Sequence, residues 1–165
     1  MAKISLGGNP INTLGELPKV GESAKNFTLV AADLSEKSLS DFSGKRVVIN
    51  IFPSIDTGVC AASARKFNQK ASSLNNTVVI NISKDLPFAL NRFCASEGLE
   101  NVINLSDFRG SFSDDYQLLI TDSPLKGLCS RAVIIVDENG KIIYTEQVPE
   151  IKQEPDYERA IAVLK

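Results

Sequence analysis

The inventory of reactive side chains in this chain of 165 residues is short: three cysteines, Cys60, Cys94 and Cys129, and no histidine. Without an imidazole there is no Ser-His-Asp or Cys-His catalysis, no histidine metal ligand and no ordinary near-neutral general base. Tryptophan is absent too, so any reaction must run on Cys, Asp/Glu, Lys, Arg, Tyr or hydroxyls. The cysteines are spaced 34 and 35 residues apart. A secreted disulfide scaffold would carry more of them in a shorter chain, and a zinc site would want Cys-x-x-Cys pairs, which are lacking. No metal is expected.

Cys60 has the most suggestive setting. It follows the loop Pro53-Ser54-Ile55-Asp56-Thr57-Gly58-Val59 and starts a helical pattern. At the first turn of a helix, unpaired N–H groups and the positive end of the dipole favour a sulfur anion. Thr57 places a hydroxyl three residues earlier, and Pro53 can shield the sulfur from water. The plainer reading makes Cys60 a small core residue on an apolar helix face, since free cysteine is often buried and inert. Residue types alone leave both open.

The elements that must hold this turn follow from periodicity. Arg46–Phe52 is a β-branched and aromatic run that reads as a buried strand stopping at Pro53. Cys60, Ala64, Phe67, Ala71 and Leu74 then mark one face of a helix. Thr77–Ile82 is a second buried strand, Pro87 to Gly98 a second helix, and Asn101–Leu105 a short strand. Lys3–Leu17 around Gly7-Gly8-Asn9-Pro10 reads as a β-hairpin, Asn26–Ala31 as a strand, and Ser38–Phe42 and Gly110–Tyr116 as helical turns. Ala132–Val136 and Lys141–Thr145 flank an Asn139-Gly140 turn signal. Pro155–Leu164 closes the chain as a helix, with Pro155 at its first position. Strand-helix-strand alternation followed by a hairpin predicts an α/β fold, a thioredoxin-like mixed central sheet covered by helices with an N-terminal β-hairpin.

Composition sets outer bounds. At 43% hydrophobic and 23% charged residues the chain is an ordinary globular sequence, and its length suits a single domain over residues 1–165. With 18 basic and 20 acidic residues, net charge −2, it lacks the basic excess of a nucleic-acid binder. No run reaches the ~18–20 apolar residues of a membrane span, and the opening segment has no apolar core of a signal peptide. A cytoplasmic protein with reduced cysteines is expected.

Pro53-x-x-x-Thr57-x-x-Cys60 resembles the active-site signature of the peroxiredoxin family, and the string PSIDTGVC is close to the form in its thiol peroxidase branch. Further blocks follow in matching order over essentially the whole chain: Asp85-Leu86-Pro87-Phe88 with Arg92-Phe93-Cys94, then Ser106-Asp107-Phe108-Arg109, Arg131-Ala132-Val133, and Pro155-Asp156-Tyr157-Glu158. The resemblance implies a thioredoxin-dependent peroxidase of the atypical two-cysteine kind, working without metal or organic cofactor. By that resemblance Cys60 is the peroxidatic nucleophile and Cys94 the resolving thiol. Arg131 holds the sulfur anion and polarises the peroxide, Thr57 hydrogen-bonds sulfur and substrate, and Pro53 shapes the pocket. Hydrogen peroxide and organic hydroperoxides are the implied substrates, thioredoxin the reductant and a homodimer the assembly. An apolar rim from Phe52, Ile55 and Val59 would favour alkyl peroxides. Two cysteines on different helices would need the turn around Cys60, and the Cys94 helix with it, to unwind before bonding. Cys129 departs from the family pattern and reads as a bystander sharing a strand face with Arg131.

Rival chemistries fit poorly. A cysteine phosphatase needs Cys-x5-Arg, whereas Arg65 and Lys66 follow Cys60 by five and six positions. Cys60-Ala-Ala-Ser lacks the second thiol of a dithiol oxidoreductase, and a glutathione-peroxidase site includes a tryptophan. The remaining alternative is a thioredoxin-like binding module with inert cysteines, which peroxide reactivity distinguishes.

Overall fold

The computed structural model describes residues 2–165. The chain opens with a hairpin, β1 (Lys3–Leu6) and β2 (Asn9–Asn12). It closes through Gly7 and Gly8 with φ of 59° and 87°, the left-handed pair that a tight two-residue turn demands. Next come β3 (Thr28–Val30) and β4 (Glu36–Ser38), then a 3₁₀ turn over Leu39–Phe42. β5 (Arg46–Ile51), α1 (Gly58–Ala71), β6 (Thr77–Ser83), α2 (Pro87–Glu97) and β7 (Ile103–Ser106) form the alternating middle. A short α3 (Phe112–Asp115), the strands β8 (Ala132–Val136) and β9 (Ile142–Gln147), and α4 (Tyr157–Ala162) complete the chain.

Seven strands join in one sheet in the order β4-β3-β7-β6-β5-β8-β9, while β1 and β2 pair separately. β5, β6 and β7 are parallel, and the flanking pairs are antiparallel. The mixed sheet with helices and an N-terminal hairpin is the α/β architecture expected. Strand alternation divides the core in two. Val47, Ile49, Ile51, Ile80, Ile82 and Ile134 meet Phe27, Phe112 and Tyr116 on one face. Val48, Val79, Val133 and Ile135 meet Phe67 of α1 and Ala160, Ile161 and Leu164 at α4 on the other. Among the described residues no helix is long and apolar enough to cross a membrane.

One strand was not expected, and three expectations change in detail. β4, reading Glu-Lys-Ser with no buried residue, gives no apolar pattern, and only its pairing with β3 makes it a strand. The β8–β9 connection is not a two-residue Asn-Gly turn: the Gly140 N–H returns to the Asp137 carbonyl, and Gly140 alone is left-handed, at φ 81°. Asp137 Oδ1 accepts from Asn139 and Lys141 N–H, which stabilises this wider loop. Pro155 lies before α4 rather than at its first position, because Asp156 caps that helix by accepting from the Arg159 N–H at 3.1 Å. Finally, residue 129 precedes β8, and Cys129 packs with Ile49, Ile51 and Ile134, on the opposite side of the sheet from the α1 layer.

Candidate active site

β5 ends at Ile51, and the Phe52 N–H still bonds the Ile82 carbonyl, so the chain leaves the sheet at Pro53. The following loop is held by Asp85 beyond β6. Its carboxylate accepts from Ser54 Oγ at 2.7 Å, from the Ile55 N–H at 2.7 Å and from Ser83 Oγ at 2.6 Å. Asp85 is therefore a positioning residue for the Cys60 turn. The sequence places it beside Pro87, but nothing local signals that it reaches back 30 residues.

Cys60 is the third residue of α1. It is fully buried among Phe52, Ile55, Ala64 and Leu90, with Phe93 and Leu99 against the same cluster. Arg131, only 2% exposed, reaches it directly: Nη2 donates to Cys60 Sγ at 3.1 Å. Nε donates to the Ile151 carbonyl at 2.8 Å, and Nη1 is buried with no hydrogen-bond partner. No carboxylate pairs with this guanidinium among the described residues. The Cys60 sulfur is the side-chain partner of this buried fork. The Ile151 carbonyl, which aims the fork, is a backbone group that no side-chain motif could have signalled.

Beside Arg131 lies a cavity of about 320 Å³. Pro53, Thr57, Val59, Leu128, Ile151 and Arg131 are among its walls, and its lining is almost wholly apolar. Pro53 and Thr57 are thus brought to the same cavity as Arg131. Thr57 is exposed and stands at the N-cap of α1, but its hydroxyl donates to the Ser54 carbonyl at 3.0 Å and makes neither a side-chain capping bond nor a hydrogen bond to the sulfur. Of the expected rim, only Val59 lines the cavity; Phe52 and Ile55 are core residues packed on Cys60.

Cys94 lies apart, half-buried on α2 and packed toward the Val48 and Phe67 layer. All three cysteines are free thiols. Burial pushes the Cys94 thiol up, with a hydrogen bond from Asn104 opposing it. Burial also pushes the Cys129 thiol well above its ordinary value, which makes it a poor nucleophile. α2 buries only Pro87 and Leu90 and has no side-chain cap at its start.

These features define a thiol site of the thioredoxin-fold type, and comparison with known proteins agrees. The model of the Redoxin family matches residues 19–161, and the chain belongs to that family. It is 57% identical over 164 residues to the thiol peroxidase of Corynebacterium glutamicum, covering 99% of both chains. Among solved structures it is similar to a peroxiredoxin-like protein from Aquifex aeolicus, at TM-score 0.94 and 38% identity, covering 99% of this chain and 96% of that one. A thiol peroxidase from Chromobacterium violaceum superposes at TM-score 0.91 with 27% identity, covering 98% and 94%. The protein is a peroxidase enzyme of the peroxiredoxin type.

Proposed function

We propose that the enzyme reduces hydrogen peroxide and organic hydroperoxides through Cys60, and that Cys94 completes the cycle by an intramolecular disulfide. The observation that carries this reading is the buried Arg131 guanidinium, a wall of the cavity, with one N–H on Cys60 Sγ and Nη1 left without a partner. A peroxide oxygen is an acceptor for that free donor. The sulfur electron pair attacks the terminal oxygen, the S–O bond forms as the O–O bond breaks, and the departing alkoxide or hydroxide takes from solvent the proton that the thiol gave up, giving Cys60 sulfenic acid and an alcohol or water. Arg131 stabilises charge on sulfur before attack and on the leaving oxygen during it. Thr57, on the cavity wall, would orient the peroxide, and Pro53 would keep bulk water from the sulfur.

In the second step Cys94 attacks the sulfenic sulfur, releasing water and forming the Cys60–Cys94 disulfide. A disulfide needs a Cα separation of ~4.4–6.8 Å, and the two cysteines pack in separate clusters, so the scheme has the first turn of α1, and α2 with it, open before the bond forms. Support comes from the missing side-chain caps on both helices and the small buried face of α2. Thioredoxin, a dithiol reductant, would return both cysteines to thiols. The apolar cavity lining favours alkyl over hydrogen peroxide. We further propose a cytoplasmic homodimer in a single-domain chain. Thiols stay reduced in that compartment, and Leu86 and Phe88, 51% and 63% exposed beside the loop, are apolar surface suited to burial by a second copy.

The test is one equivalent of peroxide added to reduced protein, followed by peptide mass spectrometry. A loss of about 2 Da mapping to a Cys60–Cys94 crosslink supports both steps, and Cys94→Ser should stop at sulfenic acid, a gain of about 16 Da on Cys60. A crosslink to Cys129 overturns the resolving assignment, and an unmodified Cys60 overturns the whole scheme.

A further inference from the structure

The three parallel strands carry one asparagine each at matched register: Asn50 on β5 faces Asn81 on β6, and Asn81 faces Asn104 on β7. All three point to the helix-covered face, in a layer otherwise built from Val48, Val79 and Phe67. Asn50 and Asn81 are fully buried. They link side chain to side chain, Asn50 Nδ2 to Asn81 Oδ1 at 3.0 Å and Asn81 Nδ2 to Asn104 Oδ1 at 3.0 Å. One end of this ladder meets α1, where Asn50 Nδ2 also donates to Ser63 Oγ at 3.2 Å, and Ser63 Oγ donates to the Cys60 carbonyl at 2.9 Å. At the other end Asn104 Nδ2 donates to Cys94 Sγ.

The direction of every amide in the ladder follows from its first link. The Ser63 hydroxyl proton is committed to the Cys60 carbonyl, so Ser63 Oγ is available to Asn50 only as an acceptor. Asn50 must then present its NH₂ to the ladder, Asn81 must present its oxygen to Asn50, and Asn104 must present its oxygen to Asn81. The Asn104 NH₂ is left facing the sulfur of Cys94. Aligned amide dipoles polarise one another, and their positive end lies on that sulfur. The orientation leaves Asn50 Oδ1 buried without a partner.

We propose that Asn104, oriented through Asn81 and Asn50, is the positioning residue that stabilises the thiolate of Cys94 while α2 is closed, the state from which the disulfide-forming step starts, and thereby sets the pH range of that step. The proposal rests on Cys94 being the resolving thiol. The charged groups on the elements around Cys94 are Asp33 and Lys37 at the rim of its groove, Arg92 and Glu97 on α2, Glu100 after it, and Arg65 of α1, which pairs with Glu97. None of them bonds the sulfur; Asn104 is its polar partner among the described residues. Burial raises the Cys94 thiol and the Asn104 bond opposes that rise, in the direction the geometry requires.

Asn104→Asp is the informative variant. It keeps the shape and the oxygen that accepts from Asn81 but replaces the donor on sulfur by a carboxylate oxygen. Asn104→Leu removes the donor without adding charge. Cys94 alkylation by iodoacetamide is followed against pH, peptide by peptide, in full-length reduced protein. The midpoint should move upward by about one pH unit in the Leu variant, the size expected for one lost hydrogen bond to an anion, and further in the Asp variant. After peroxide oxidation, disulfide closure near pH 7 should slow about tenfold in Asn104→Leu and regain the parental rate at alkaline pH, while sulfenic acid formation at Cys60 is unchanged. An unmoved alkylation midpoint in the Asp variant, or closure slowed equally at every pH, overturns the proposal. Cys94→Ser separates the two claims: a disulfide that still closes in that variant overturns Cys94 as resolving thiol, whatever Asn104 does.

Discussion

Replacing Arg131 by Leu should separate activity from stability, and the contacts set the size of each effect. The guanidinium gives Cys60 Sγ one hydrogen bond at 3.1 Å and holds a second donor, Nη1, unpartnered. A hydrogen bond to a charged partner is worth roughly 1.5–3 kcal/mol. Losing one to the sulfur anion and one to the developing oxyanion removes ~3–6 kcal/mol, or about 10²–10⁴-fold in the second-order rate with peroxide. Stability behaves differently. The variant removes a fully desolvated cation that has no carboxylate partner, which is neutral or stabilising when an apolar side chain fills the space. Against this, the Ile151 carbonyl loses its Nε donor at 2.8 Å, a cost of about 1–3 kcal/mol. The unfolding free energy from urea denaturation should therefore change by no more than ~2 kcal/mol in either direction. The chain has no tryptophan to report the reaction by fluorescence, so quenched-flow mass spectrometry of the Cys60 peptide is the suitable assay. A folded Arg131→Leu variant that reacts within about threefold of the parent refutes the reasoning, because the two lost bonds predict at least a hundredfold.

Other expectations follow from the same geometry. Asp85→Ala releases two hydrogen bonds on the Cys60 loop and one from Ser83 at the end of β6, and should cost roughly 2–4 kcal/mol in urea denaturation and about tenfold in peroxide rate; lower stability with an unchanged rate would show that Asp85 does not aim the turn. Phe67→Ala empties a fully buried site where the ring meets Tyr157 edge-on at 5.2 Å, and should destabilise by ~3–5 kcal/mol. A loss under about 1 kcal/mol would contradict the packing. Glu150 accepts from the N–H groups of Lys152, Gly8 and Gly7 and from Ser5 Oγ, which lowers its carboxyl from 4.5 to about 2. A depressed folded value means its stabilisation is present above 4.5 and is lost as pH falls toward about 2. Amide exchange at Gly7 and Gly8 should accelerate across that window beyond its ordinary pH dependence in the parent and show no such step in Glu150→Gln.

What could be read beforehand divides by the range of the interaction. Apolar periodicity and loop chemistry are local, so the strands at Arg46 and Thr77, the helix from Gly58 and the Gly98 stop all lie where residue types alone put them. β4 escaped because its residues are polar and its strand character comes from β3. The side of the sheet taken by Cys129 was misread because parity holds only inside a strand, and residue 129 lies before β8. At the site, Cys60, Thr57 and Pro53 belong to one motif, whereas the Arg131 link spans 71 residues and the Asp85 links span about 30. Residue chemistry alone marks neither: Arg131 was reached through family resemblance, and the reach of Asp85 to Ser54 and Ile55 was not read at all. The asparagine ladder was invisible for the same reason: three amides on separate strands mean nothing until register aligns them.

The pairing of β5 with β8 has a consequence for how such a chain can vary. Ile51 lies opposite Ala132, so the cysteine loop leaves the sheet beside the strand that delivers the guanidinium. The long excursion between β7 and β8 can gain or lose residues and still return to that register. One residue inserted between Arg131 and the paired part of β8 would turn the guanidinium to the opposite face, among the side chains that bury Cys129. Length variation in descendants of this sequence should therefore concentrate in the excursion and be absent from residues 131–136.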